Sequence, residues 1–299
     1  MLWLFSDDQI RRQDVDTLKR WLRPKLDGYT VAIKDLGLDN VFYRGVPWLD
    51  RPTQLRDLSY PPPEFAKLNR ASREGQSMFY ASRGALPVFF EIRAAKGQRI
   101  ALSRWSMTET VWMHHLGFHP EALRRLGAKP LALRDALSNP FPIETSRNEQ
   151  LRKRLSLAFT NDTLGREYRY KLSVAINELL FDKASPIPLV PNGPKSEYVS
   201  GTVYPAMQMR GAADNVAIWP AAADQCLTLD WVRYVEIERA SQDGLSYSLL
   251  SLAEGRAAPG GEIAWRDLDR PEINRRAFVG YEHGSWVSRD GMGRPFDYH

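Results

Sequence analysis

The stretch from Asn69 to Glu91, NRASREGQSMFYASRGALPVFFE, sets an arginine, a tyrosine and a glutamate at near-equal intervals. Arg70 opens a polar segment containing Gly75, Tyr80 lies in the short run SMFYAS, and Glu91 closes the apolar run LPVFFE, so the whole reads as a turn and strand. Arginine offers a planar fork of donors for phosphate or carboxylate oxygens and keeps its charge at working pH. Tyrosine can stack on a flat ring while its hydroxyl finds a polar partner. Glutamate can orient a ribose hydroxyl, activate a nucleophile or stabilise an oxocarbenium-like centre. Brought to one pocket, the three would suit a phosphate-bearing ligand with a flat ring and the breaking of a sugar–nitrogen bond. The plainer reading of the same residues is a structural ion pair of Arg70 with Glu91 and a core position for Tyr80.

Outward from this stretch, the chain alternates in character. Residues 7 to 26 read as an amphipathic helix, with Ile10, Val15, Leu18, Trp21 and Leu22 mostly on one face. YPPPEFAKLNR reads as an extended connection, because consecutive prolines oppose helix and ladder hydrogen bonds. From about 106 to 183 the pattern turns helical through WMHHLGF, PEALRRLG, PLALRDAL, EQLRKRLSLAF and YRYKLSVAINELLFDK. Then EYVSGTVYPAM, NVAIWP and LDWVRYVEIERA read as strands. A helical layer between two strand-rich portions predicts an α+β fold and argues against a doubly wound parallel sheet.

Three separated blocks resemble the RES domain family. The first is VFYRGV with Arg44; the second holds Arg70, Gly75, SMFYAS with Tyr80, and LPVFFE with Glu91; the third, SGTVYPAMQMRGAADNVAIWP, holds Gly201, Tyr204, Pro205, Gly211 and Asn215. The resemblance spans roughly residues 41 to 240, which implies an N-terminal helical extension over 1–40, a RES-like catalytic domain over 41–240 and a C-terminal extension over 241–299. It implies an ADP-ribosyltransferase-like split β-sheet core and an enzyme that consumes NAD, as toxins of toxin–antitoxin systems do. By that resemblance Glu91, Tyr80 and Arg70 are the catalytic candidates, and Arg44, Arg70, Tyr80, Tyr204 and Asn215 line the NAD site. NAD is then substrate, and no metal is needed. Three positions depart from the pattern: Ala206 stands where a serine is common, and Ala71 and Ser72 follow Arg70 in place of an aromatic and an asparagine. Ser200, Thr202 or Gln208 would have to replace the serine hydroxyl. The acceptor sets the reaction: water makes a glycohydrolase, phosphate a phosphorylase, a macromolecule an ADP-ribosyltransferase. A non-catalytic RES-like module binding a nucleotide or partner is the reading from another class.

Composition is permissive. With 43% hydrophobic residues the 299-residue chain can bury a sizeable core. Lys+Arg of 41 against Asp+Glu of 36 gives a net charge of +5, which favours an anionic ligand but is too dispersed to indicate nucleic acid. The densest cationic run, with Arg147, Arg152, Lys153 and Arg154, reads as a solvated helix face. A single cysteine, Cys226, excludes an internal disulfide and fits a reducing cytoplasm. The opening MLWLFSDD is too short and too soon acidic for a secretory leader, and no apolar run approaches a membrane span. His115 and His119 have helical zinc-pair spacing, but Gly117 between them and Pro120 after them disfavour that helix. The chain has neither a GxxxxGK[ST] loop nor a GxSxG elbow. The aromatic tail, with Trp265, Phe278, Tyr281, Trp286 and Phe296, is expected to dock on the core or on a second copy, giving a homo-oligomer. The family resemblance further implies a helix-turn-helix antitoxin as partner.

Overall fold

The computed structural model describes residues 5–29, 31, 33–129, 146–161, 163–183, 199–268 and 276–296. In chain order the helices are α1 (Asp7–Arg12), α2 (Val15–Leu22), α3 (Ala85–Glu91), α4 (Pro120–Leu126), α5 (Ser146–Phe159), α6 (Tyr170–Lys183) and α7 (Pro220–Cys226). The strands are β1 (Ile33–Leu36), β2 (Val41–Pro47), β3 (Phe79–Ser82), β4 (Arg99–Met107), β5 (Val111–His115), β6 (Val199–Pro205), β7 (Asp214–Ile218), β8 (Leu227–Ala240), β9 (Ser246–Ala257), β10 (Ile263–Asp267), β11 (Arg276–Glu282) and β12 (Ser285–Asp290). The class is α+β. Two compact units share the chain: Met1–Gly37, Pro61–Phe79 and Glu109–Gln225 form one, and Leu38–Tyr60, Tyr80–Thr108 and Cys226–His299 the other. Each unit is thus built from interleaved segments, whereas the sequence reading divides the chain into contiguous blocks.

The first unit carries a mixed set of strands. β1 runs antiparallel to β5, β5 parallel to β6, and β6 antiparallel to β7. Every residue of β6 is buried. The single amphipathic helix expected over 7–26 is two helices. Ser6 opens α1 with a reciprocal capping box to Gln9, and Asp14 opens α2 by accepting from the Thr17 amide at 2.6 Å. A second cap in mid-pattern starts a new helix even though the apolar stripe continues. Leu18, Leu22 and Leu26 are fully buried. Lys19 pairs with Glu178 of α6 at 2.8 Å and Asp7 with Arg169 at 2.7 Å, so α2 packs on α6 and α1 on the 3-10 turn Glu167–Arg169 that precedes it.

Two expectations in the helical stretch are corrected. Residues up to Met107 belong to β4, and WMHH lies in β5, between β1 and β6. Trp112 and Met113 suit a pleated strand, and Gly117, at a φ of 94°, turns the chain before α4. His119 is the N-cap of α4, its Nδ1 accepting from the Glu121 amide at 3.0 Å, so His115 and His119 do not share a helix. The PLALRDAL helix expected from the sequence lies outside the described residues. YPPPEF contains a 3-10 turn at Pro63–Phe65, not a wholly extended run.

Among the described residues the strand pairs of the second unit are antiparallel. β3, β2, β4, β8, β9, β11 and β12 are successive neighbours, and β10 pairs with the C-terminal half of β9. LPVFFE, expected as extended chain, is helix α3. Gly84 is its N-cap, and Pro87 falls in the first turn, where a missing N–H costs nothing. A short apolar run leaves helix and buried strand indistinguishable by periodicity. Of the C-terminal aromatics, Trp265, Phe278, Tyr281 and Trp286 sit in strands of this unit. The Trp286 ring of β12 meets Phe90 edge to face at 4.7 Å and lies tilted 4.9 Å from Tyr281, and Trp265 Nε1 donates to the Pro52 carbonyl at 2.7 Å. No helix among the described residues is long and apolar enough to cross a membrane.

His114 in β5 is 0% exposed, its two ring nitrogens have no hydrogen-bond partner among the described residues, and its ring lies tilted 4.7 Å from that of Phe181. Burial pushes its pKa down to about 4 from 6.5. The unfolded chain therefore binds this proton first as pH falls, so the folded state loses stability from about pH 6.5 down through pH 4. The full loss is on the order of 3 kcal/mol. His114→Leu should remove that part of the acid sensitivity and raise stability at pH 7 by about 1 kcal/mol, because an unsatisfied buried polar group disappears. Urea unfolding of both proteins at pH 7 and pH 4.5 checks it. Equal pH dependence in the two would contradict the assignment.

Candidate functional site

In the first unit, Arg70 is 6% exposed. It follows a tight turn in which the Asn69 amide donates to the Ser72 carbonyl at 2.9 Å and the Arg70 amide to Asn69 Oδ1 at 2.7 Å. Its Nη1 donates to the Phe159 carbonyl at the end of α5. The guanidinium carbon lies 5.2 Å from the Tyr170 ring and 5.9 Å from the Tyr204 ring. The Tyr204 and Phe159 rings in turn stand 6.3 Å apart. Among the described residues Arg70 has no carboxylate partner. A buried guanidinium paired only with a carbonyl and two aromatic faces is incompletely compensated, since cation–π contact recovers part of the desolvation cost and an anion the rest.

Tyr204 and Asn215 are brought together by strand register. They face each other across β6 and β7, and both are buried. Gly201 permits that pairing: a Cβ there would lie 2.2 Å from the Ala217 carbonyl oxygen. Ala206 is fully buried, and its carbonyl accepts from the Gly211 amide. Thr202 cannot offer its hydroxyl proton in place of the missing serine, because it donates to Asn177 Oδ1 at 2.6 Å. Asn177 was not legible as a site residue. The only sequence signal was a lone asparagine inside the apolar helix run LSVAINELL, two turns after Tyr170.

The other expected residues belong to the second unit. Arg44 of β2 donates through Nε to the Ser59 carbonyl at 2.8 Å and the Leu58 carbonyl at 3.2 Å, and through Nη1 to the Tyr80 carbonyl at 2.8 Å. It therefore staples β2, the loop before Ser59 and β3. Burial pushes its pKa down to about 10, opposed by the nearby Tyr80 phenol, and it stays charged at neutral pH. Tyr80 is half-buried in β3.

Glu91 is the last residue of α3. Beyond it Arg93 takes a φ of 51°, the Arg93 amide donates to the Phe90 carbonyl and the Ala94 amide to the Phe89 carbonyl, each at 3.1 Å. This is a Schellman stop with an arginine where glycine is usual. Phe90 is clasped by Tyr247 at 5.0 Å and Trp286 at 4.7 Å. α3 crosses β2 closely at Gly45, where a Cβ would meet Val88 Cγ1 at 2.4 Å. The carboxylate is thus carried on a tightly fixed helix end. A glutamate there opposes the helix dipole, at a cost of about 0.3–1 kcal/mol, a local rule broken in the way functional positions often break one.

Among the described residues no group of three or more His, Cys, Asp or Glu side chains could hold a metal ion. Cys226 is buried at the end of α7. No protein-family model matches the chain, and no curated protein matches it.

Proposed function

We propose that this protein is an NAD-consuming enzyme that breaks the bond between nicotinamide and ribose. The observation that carries the reading is the buried Arg70 guanidinium, set between Tyr170 and Tyr204 with no carboxylate partner among the described residues. A pyrophosphate supplies the missing counter-charge with paired acceptor oxygens. In this reading Arg70 holds the pyrophosphate and Tyr204 and Asn215 line its site in the first unit, while the roles of Tyr80, on nicotinamide or its ribose, and of Arg44, as a further cation, rest on the RES resemblance alone. Glu91 stabilises the positive charge that develops on the ribose. The C1′–N bond breaks with its electron pair leaving on neutral nicotinamide, and the ribosyl carbon takes an oxygen from water, whose proton is released. An ADP-ribosyltransferase-like core, a cytoplasmic toxin role, a helix-turn-helix antitoxin and a homo-oligomer belong to the same proposal and rest on the RES resemblance. Transfer of ADP-ribose to a macromolecule differs only in the acceptor.

Incubation of the purified protein with NAD, with and without phosphate, tests it by chromatography of nicotinamide and ADP-ribose. Free ADP-ribose identifies a glycohydrolase and a phosphorylated ADP-ribose a phosphorylase. No nicotinamide, even with cell extract supplied as acceptor, leaves a nucleotide- or partner-binding module. Arg70→Ala should raise KM by about 10- to 100-fold with a smaller change in kcat, as loss of a hydrogen bond to a charged group worth about 1.5–3 kcal/mol requires. An unchanged KM would remove Arg70 from the site.

A further inference from the structure

Arg73 lies three residues beyond Arg70, and its guanidinium is fully engaged by two carboxylates from different helices. Nη1 and Nη2 pair with the two oxygens of Asp16 in α2 at 2.8 and 2.5 Å, while Nε and Nη2 pair with the two oxygens of Glu178 in α6 at 2.5 and 2.7 Å. Lys19 of α2 reaches the same Glu178 at 2.8 Å and Asp182 at 3.2 Å. Burial raises the Glu178 carboxyl, but Arg73 and Lys19 outweigh it and hold the group ionised below its ordinary range. Asp16 is likewise lowered by its bonds to Arg73. The intervening residues are tied to the same helix, because buried Asn177 donates to the Ala71 carbonyl at 3.0 Å. Tyr170, Asn177 and Glu178 of α6 therefore meet Arg70, Ala71 and Arg73 in turn.

We infer that Arg73 is a positioning residue for Arg70, and that the N-terminal helix α2 acts on the anion site through the Asp16–Arg73–Glu178 clamp. The inference rests on the reading that Arg70 binds a phosphate-bearing ligand. A bidentate pair on each side fixes the direction as well as the distance of the Arg73 backbone, which a point charge would not do. Displacement of a binding group by about 1 Å is enough to cost an order of magnitude or more.

The test uses the full chain, Asp16→Asn and Arg73→Lys, with inorganic pyrophosphate and NAD as probes and amide hydrogen exchange as a second readout. Asp16 is an exposed residue of the first turn of α2, so Asp16→Asn should fold. Both variants should bind pyrophosphate about tenfold more weakly, raise KM for NAD without a matching fall in kcat, and exchange faster at residues 69–73 while α5 and β6 keep their protection. Unchanged exchange at 69–73, or an equal rise across the whole unit, would overturn the clamp as a positioning device. Wild-type protein that binds neither probe would overturn the functional reading instead, and the exchange comparison would still decide the clamp.

Discussion

Glu91→Gln is expected to release nicotinamide from NAD about 10²- to 10³-fold more slowly than the wild type, with KM nearly unchanged, the size of effect seen when one preorganised electrostatic group is removed. The substitution keeps shape and hydrogen-bonding reach but deletes the charge. Only an interaction stronger in the transition state than in the ground state changes kcat, and positive charge on the ribosyl carbon appears only there. The helix that carries the residue should be retained. Glu91 ends α3, whose direction is fixed by Phe90 between Tyr247 and Trp286 and whose last turn is closed by the amides of Arg93 and Ala94. Removing a negative charge from the negative end of a helix is neutral or mildly stabilising. Lost turnover with an unshifted melting temperature separates a chemical role from a structural one. Turnover within about threefold of wild type, measured beside unaltered folding, would end the case for this residue.

The parts of the fold legible in the sequence were those where pattern and punctuation agree. β6, β7 and β8 carry β-branched and aromatic residues between turn signals, and they appear where those signals place them. The misread runs LPVFFE and WMHH share one cause, which is that apolar runs shorter than about eight residues carry no usable period. LPVFFE became helix because Gly84 caps it and Pro87 sits in its first turn; WMHH became strand because β1 and β6 flank it. For the candidate site, Arg70 was visible as a residue but its surroundings were not. Tyr170, the Phe159 carbonyl, Arg73 and Asn177 come from separate helices and a loop, and a contact made across that much chain leaves no local spacing to read. Arg44 shows the converse. Three backbone carbonyls accept from it, and nothing in VFYRGV announces that structural commitment.

Gly201→Ala should be the most damaging small substitution in the first unit, lowering stability by roughly 3 kcal/mol or more. Its φ is not the reason, since the residue sits in ordinary extended strand. The reason is space: the added methyl would lie 2.2 Å from the Ala217 carbonyl oxygen, 2.8 Å from Met113 Cε and 3.0 Å from Ile218 Cα. The methionine tip can swing away, but the two backbone atoms belong to β7, hydrogen-bonded to β6 with Gly201 opposite Ile218. Relief requires the strands to part. β6 is held from the other side by β5 and is buried along its whole length, so it has little room to yield. Parting would also break the register that sets Tyr204 opposite Asn215, and with it the aromatic wall beside Arg70. Gly244→Ala is the matched control, because its φ of 68° carries strain but no atom lies within 4 Å of the new methyl. Its cost should stay near about 1–2 kcal/mol. Urea unfolding of the two variants beside wild type decides the point: a Gly201→Ala midpoint equal to or above that of Gly244→Ala would mean that the β6–β7 pair accommodates a side chain after all, and that close approach of the strands is not what fixes this wall of the site.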